Sequence, residues 1–159
     1  MSRHPRVEAT ARDLVRTVLD APPTLGAGRL VCVDGPAGSG KTTLAAALNR
    51  GFRDALRSGR AGRYRRYDWH RSELAEERVV EPCRVLVVEG VGSGNAAYAD
   101  VVTLLVWVDT PSDVRLQRGL ERDGEQMREH WLRWRVQEDA MFALHRTRER
   151  ADVVVDGAG

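Results

Sequence analysis

Arg29-Leu-Val-Cys-Val-Asp34-Gly35-Pro-Ala-Gly-Ser-Gly40-Lys41-Thr42-Thr43 is the stretch on which the fold turns. Its first half is a short apolar run rich in β-branched residues, the pattern of a strand buried on both faces. Its second half satisfies G-x-x-x-x-G-K-[ST] in full, from Gly35 to Thr42. Such a match carries weight where a strand enters and a helix leaves. Leu44 and Leu48 give the following segment an apolar helical face, starting near Lys41 and interrupted at Gly51. Phe52 and Leu56 suggest a further short helix. Glycines let successive backbone N–H groups curl inward onto an anion, and the helix N-terminus adds partial positive charge. The Lys41 ammonium then reaches β- and γ-phosphates, and the Thr42 hydroxyl is a Mg²⁺ ligand. A glycine-rich turn that merely joins strand to helix does not explain the lysine. Lys41 is the single Lys among 25 basic residues, the rest being Arg.

Outward from this loop, residues 6–20 read as an amphipathic helix with Ala11, Leu14, Val15, Val18 and Leu19 on one face, stopped by Ala21-Pro22-Pro23. Residues 57–66 read as a basic loop. Residues 84–89, 101–108 and 151–155 read as three more buried strands. Pro111 opens a helix that runs to about Asp123-Gly124. A last helix covers roughly 125–149, with Met127, Trp131, Trp134 and Met141 at helical spacing. The two tryptophans read as packing rather than as a platform for stacked bases. Apolar strands separated by helices predict an α/β fold, a three-layer arrangement around a mostly parallel sheet of about four strands. Residues 1–27 read as an N-terminal helical extension and residues 28–159 as the main domain.

The chain has 159 residues, 42% of them hydrophobic and 30% charged, a balance that suits one folded domain and excludes a disordered chain. No run approaches the ~18 apolar residues of a membrane helix. The start, Met1 to Arg6, has no leader-like pattern. Cys32 and Cys83 have no metal-ligand spacing and form no disulfide framework, so a reducing, cytoplasmic setting is expected. The 25 basic and 23 acidic residues nearly cancel, which gives no case for a nucleic-acid partner. Arg63, Arg65, Arg66 and Arg71 around Tyr67 read as a phosphate-facing or solvated stretch, and His70 as a surface histidine rather than a ribose or base contact.

A phosphate loop needs a carboxylate near the metal, usually at the end of a neighbouring strand. Glu89 ends one strand and is the candidate Mg²⁺ residue beside Thr42; the bland alternative is a strand-end surface acid. Asp34 ends another and either assists the metal or caps the loop. Arg115, Arg118 and Arg122 fall at i, i+3 and i+7, on one helix face with no acid interleaved. Guanidinium forks on such a face stabilise a transferring phosphoryl group, unless the face is simply solvated.

Together these residues resemble the uridine kinase-like branch of the nucleoside and nucleotide kinases, over about residues 28 to 157. Asp34 to Thr43 is similar to the kinase phosphate loop. Tyr67-Asp68-Trp69 is similar to the Tyr-Asp-aromatic segment lining the nucleoside pocket. Val87-Val88-Glu89-Gly90 resembles the acidic strand end. Asp113, Arg115, Arg118, Arg122 and Asp123 match the D-x-R-x-x-R-x-x-x-R-D spacing of the lid helix, and Ala151 to Gly157 resembles the closing strand. The resemblance implies an ATP- and Mg²⁺-dependent kinase domain over 28–159. It would transfer the γ-phosphate to the hydroxyl of a uridine- or cytidine-like nucleoside or similar small molecule. It also implies the site. Gly35, Ala37, Gly38, Ser39, Gly40, Lys41, Thr42 and Thr43 hold the nucleotide, Thr42 and Glu89 the metal. Lys41, Arg118, Arg122 and Asp68 serve catalysis, and Tyr67, Asp68, Arg71 and Arg115 the acceptor. One departure stands out. Relatives carry a second strand ending in an acidic base between the phosphate-loop helix and the Tyr-Asp segment. Here only Leu44 to Arg66 is available, with one acid, Asp54, and the segment is deleted near Asn49-Arg50-Gly51. Asp68 is the replacement candidate. Positioning supplies much of the catalysis in a loose phosphoryl transfer, so loss of the base slows transfer rather than necessarily ending it. The alternative is an ATP-binding protein with little or no turnover.

Overall fold

The computed structural model describes residues 5–25, 27–39, 62–68, 73–80 and 83–158. Helix α1 (Pro5–Asp20) leads into strand β1 (Arg29–Asp34). β1 is central. It pairs in parallel with β4 (Val85–Glu89) on one side and with β5 (Leu104–Asp109) on the other. β6 (Val153–Asp156) joins β5, also in parallel. The order is β4-β1-β5-β6, a four-stranded parallel sheet, as the apolar runs predict. Each of these strands ends in an acid: Asp34, Glu89, Asp109 and Asp156. The carboxyl edge of such a sheet is where α/β folds bind ligands.

Alternation along β1 and β5 divides the core. Val31, Val33, Leu104, Val106 and Val108 meet Ala11, Leu14 and Val18 of α1. The helix therefore shares a core with the sheet, and burial of Leu14 or Val18 stabilises by roughly 1.5–3 kcal/mol each. Leu30, Cys32 and Leu105 face the other way. On that second face Trp107 packs edge-on against Phe142 of helix α3 (Arg128–His145), ring centroids 4.7 Å apart. Between β5 and α3 lie helix α2 (Ser112–Asp123) and a 3-10 turn at Glu125–Met127.

Two expectations are corrected. Residues 57–66 do not read through as loop: Gly62–Asp68 forms strand β2, antiparallel to β3 (Glu73–Val80), in a sheet of two strands. An Arg- and Tyr-rich ribbon needs no apolar alternation, so the pattern that marks a core strand is absent from it. The final helix is also shorter than 125–149. It ends at His145, Arg146 turns left-handed (φ 47°), and a short helix α4 (Thr147–Arg150) follows. The helix expected from Lys41, and the one suggested by Phe52 and Leu56, lie outside the described residues.

Candidate functional site

Asp34 is fully buried at the end of β1. Its carboxylate accepts hydrogen bonds from the amides of Gly35 (2.8 Å), Gly92 (3.0 Å) and Gly94 (2.8 Å). These bonds are the contact that the loop-capping reading expects. The carboxylate ties the start of the phosphate loop to the turn after β4.

The loop then passes between β5 and α2. Gly35 (φ 147°) and Gly38 (φ 78°) take backbone conformations that L side chains rarely adopt. A Cβ on Gly38 would lie 2.6 Å from the Arg115 carbonyl oxygen, so only glycine permits this approach. The Thr110 hydroxyl donates to the Ser39 carbonyl at 2.9 Å, and the Ala37 amide donates to Glu138 at 2.9 Å. Ser39 is fully buried. This positive-φ curl sits at the carboxyl end of β1, where such loops receive phosphate oxygens, and of its amides Gly35, Ala37 and Ser39 donate to Asp34, Glu138 and the Pro36 carbonyl.

α2 begins after Pro111, with Asp113 in its first turn complementing the helix dipole. Its three arginines share one face by spacing, yet each has a different partner. Arg115 is buried, donates to the Thr110 carbonyl at 3.2 Å, and lies 3.7 Å from Glu138. Burial lowers its pKa from the usual guanidinium value, and the Glu138 charge opposes that shift. Arg118 donates to the carbonyls of Gly157 (2.6 Å) and Ala158 (3.2 Å), the segment after β6. Arg122 pairs with Asp123 at 2.7 Å and stands 5.6 Å from the centre of the Trp131 ring. The hydrogen bond to Asp123 raises its pKa. This acid closes the D-x-R-x-x-R-x-x-x-R-D spacing and sits one position along from the arginine face, at the helix end.

Glu89 is exposed at the end of β4 and pairs in register with Val33, one residue before Asp34. Asp109 pairs with Arg148 at 3.0 Å. Tyr67 and Asp68 close β2, opposite Leu74 and Glu73. Gly40, Lys41, Thr42, Thr43 and Arg71 lie outside the described residues. Among the expected residues the structure thus brings together Gly35, Ala37, Gly38, Ser39 and Arg115. It sets Arg118 against the segment after β6 and Arg122 at the far end of α2, and places Tyr67 and Asp68 in the separate two-stranded sheet. Sequence reading missed Glu138. Its signal was present: a charged residue four positions after Trp134, on the stripe that buries Trp131 and Phe142.

A phosphate loop closing the central strand of a parallel sheet, beside an arginine-bearing helix, defines a nucleotide-binding α/β protein of the P-loop class. More specifically, the sequence model of the phosphoribulokinase/uridine kinase family matches residues 50–157, and the chain belongs to that family. The matched stretch begins after the phosphate loop, so motif and family match come from separate residues. Two of the solved structures that share the fold illustrate it. A possible uridine kinase from Bacillus stearothermophilus aligns with TM-score 0.61 at 18% identity, over 93% of this chain and 98% of that one. A candidate fructose transport system kinase from Silicibacter sp. TM1040 aligns with TM-score 0.56 at 22% identity, over 91% of this chain and 98% of that one. No curated protein matches. No described helix is long and apolar enough to cross a membrane.

Proposed function

We propose that this chain transfers the γ-phosphoryl group of Mg-ATP to the hydroxyl of a small molecule, with a uridine- or cytidine-like nucleoside first among the acceptors. The observation that carries the reading is the phosphate loop at the end of β1 in a chain of this kinase family. Mg-ATP, when bound, supplies the transferable phosphoryl group and the divalent charge. Lys41 and the loop N–H groups not already given to carboxylates hold the β- and γ-phosphates, the Gly35 and Ala37 amides being given to Asp34 and Glu138. Thr42 and Glu89 hold the metal. Arg118 and Arg122 neutralise charge on the transferring group, which requires Arg118 to exchange the carbonyls of Gly157 and Ala158 for phosphate oxygens. Tyr67, Asp68 and Arg71 contact the acceptor, and Asp68 is the base that receives its proton.

The test is transfer of labelled γ-phosphate to a panel of nucleosides and sugars, with Lys41→Ala as control. A labelled monophosphate that depends on Lys41 is the expected result, and transfer unchanged in Lys41→Ala overturns the assignment. A sugar accepted in place of every nucleoside keeps the kinase and changes the acceptor.

Binding without turnover is the second reading. The sequence favours it, because the stretch from Leu44 to Arg66 is short and holds one acid, Asp54. ATP retained beside a null transfer assay selects it.

A further inference from the structure

Glu138 stands on the buried face of α3, its side chain 1% exposed. A carboxylate so far from water is costly unless its oxygens are engaged. Oε1 accepts from the Ala37 amide at 2.9 Å and from Trp134 Nε1 at 2.6 Å. Oε2 lies 3.7 Å from Arg115 Nη1. Arg115 in turn donates to the carbonyl of Thr110, whose hydroxyl donates to the Ser39 carbonyl. The Arg115 carbonyl occupies the space that a side chain on Gly38 would need. Three consecutive residues of the phosphate loop therefore meet one cluster: Ala37 bonds Glu138, Gly38 lies close against the Arg115 backbone, and Ser39 shares the Thr110 hydroxyl with the Asp109 carbonyl.

We infer that Glu138 is a positioning residue for nucleotide binding: it fixes the Ala37 amide, and with it the curl of the phosphate loop, while Arg115 serves as its counter-charge. The inference rests on the reading of this loop as the seat of the nucleotide phosphates. A peptide unit is planar, so anchoring the Ala37 N–H also sets the Pro36 carbonyl and restricts the neighbouring amides that must converge on one anion. Arg115 then acts through the loop rather than on the acceptor.

Two substitutions separate reach from charge. Glu138→Asp keeps the charge beside Arg115 but shortens the side chain by one methylene, withdrawing the acceptor from Ala37. Glu138→Gln keeps the reach and an acceptor oxygen but removes the charge. Mg-ATP affinity is measured by calorimetry at a temperature where circular dichroism shows each variant folded, with Lys41→Ala alongside. The expected loss is about tenfold or more for Glu138→Asp, since a misplacement of about 1 Å can cost up to about 10²-fold where several groups must converge. Glu138→Gln loses less than about threefold in affinity, and its thermal midpoint falls because the Arg115 charge is left buried without its partner. A merely structural Glu138 lowers the midpoint and leaves the affinity of the folded protein unchanged. Wild-type affinity in Glu138→Asp, with Lys41→Ala weakened, overturns the inference. Wild-type affinity in Lys41→Ala overturns the reading of the loop itself. Where Glu138→Asp does not fold, Arg115→Met and the double variant Arg115→Met/Glu138→Gln carry the test. The single change weakens binding, the double restores it, and a double variant as weak as the single overturns the inference.

Discussion

The Asp34 carboxylate lies 2.8 Å from the amide nitrogen of Gly94, 60 residues away in sequence. With the bonds from Gly35 and Gly92, it joins β1 to the turn that follows β4 through a fully buried carboxylate. Every lone pair used there is matched by an N–H donor. Asp34→Asn turns one acceptor into an NH₂ group facing an amide donor. Leaving buried amides unsatisfied costs about 1–3 kcal/mol, so a loss of about 3 kcal/mol is expected from urea denaturation. A loss below about 1 kcal/mol would show that the turn after β4 is held by something else.

That contact also shows what a sequence discloses and what it withholds. The parallel sheet was legible because β1, β4, β5 and β6 are apolar and bounded by Gly, Pro and acids, all local signals. The phosphate loop was legible because its chemistry demands fixed residues at fixed spacing. Asp34 remained open between metal and cap, because its partners Gly92 and Gly94 sit in a turn with no periodicity. The same holds for Glu138. Helical spacing puts it on the buried stripe of Trp131 and Phe142, but its partner Ala37 lies 101 residues away, outside any local window. The β2–β3 pair was illegible for a different reason: the Arg- and Tyr-rich run Gly62–Asp68 has no apolar alternation to mark it. The arginines of α2 show the limit from the other side. Spacing places three guanidinium groups on one face, but their partners come from Thr110, Gly157 and Asp123.

Trp131 links α3 to the end of α2. It is buried, its Nε1 donates to Asp123 at 3.1 Å, and its ring lies against Gly119. Trp131→Phe keeps most of the packing and loses the hydrogen bond, a cost of about 1 kcal/mol. Trp131→Ala removes the packing as well, at about 3–5 kcal/mol. Chemical denaturation of the two variants separates these contributions. Equal losses would place the whole effect in the Asp123 bond.

Arg122 shares that corner but is mostly exposed, 67% of its side-chain surface being accessible. An exposed ion pair contributes about 0–1 kcal/mol, so Arg122→Ala hardly moves the denaturation midpoint. In the proposed kinase the same change lowers kcat by about tenfold or more, because the guanidinium acts on charge in transit. Stability and kcat falling together in proportion would assign Arg122 to structure alone.

Cys32 gives a pH dependence. Burial, and secondarily the Asp34 charge, raise its thiol pKa to about 11. An unfolded cysteine titrates near 8.5. The folded state thus holds the proton more tightly, and the associated stability is complete below the unfolded value. It is lost as pH rises from about 8.5 through 11. Urea midpoints should fall over this interval, and Cys32→Ala should flatten the decline while lowering the neutral-pH value through the small cavity it leaves. An equally steep alkaline decline in Cys32→Ala would locate the titration elsewhere.

Glu89 and Asp34 end neighbouring strands, yet the same chemical change separates them. Asp34 is buried and accepts from three backbone amides, whereas Glu89 is exposed at the sheet's carboxyl edge. Glu89→Gln should therefore leave the urea midpoint within about 0.5 kcal/mol of wild type, as is usual for a surface position. If Glu89 holds Mg²⁺ as proposed, the amide weakens that hold. Half-saturating Mg²⁺ in the transfer assay then rises by about tenfold, as loss of a supporting metal contact typically produces. Excess Mg²⁺ should restore most of the rate, because phosphate oxygens and Thr42 still bind the ion. Asp34→Asn should show the reverse pattern, unstable and not rescued by the metal. A Mg²⁺ requirement that shifts in Asp34→Asn and not in Glu89→Gln would move the metal to Asp34 and leave Glu89 a strand-end acid.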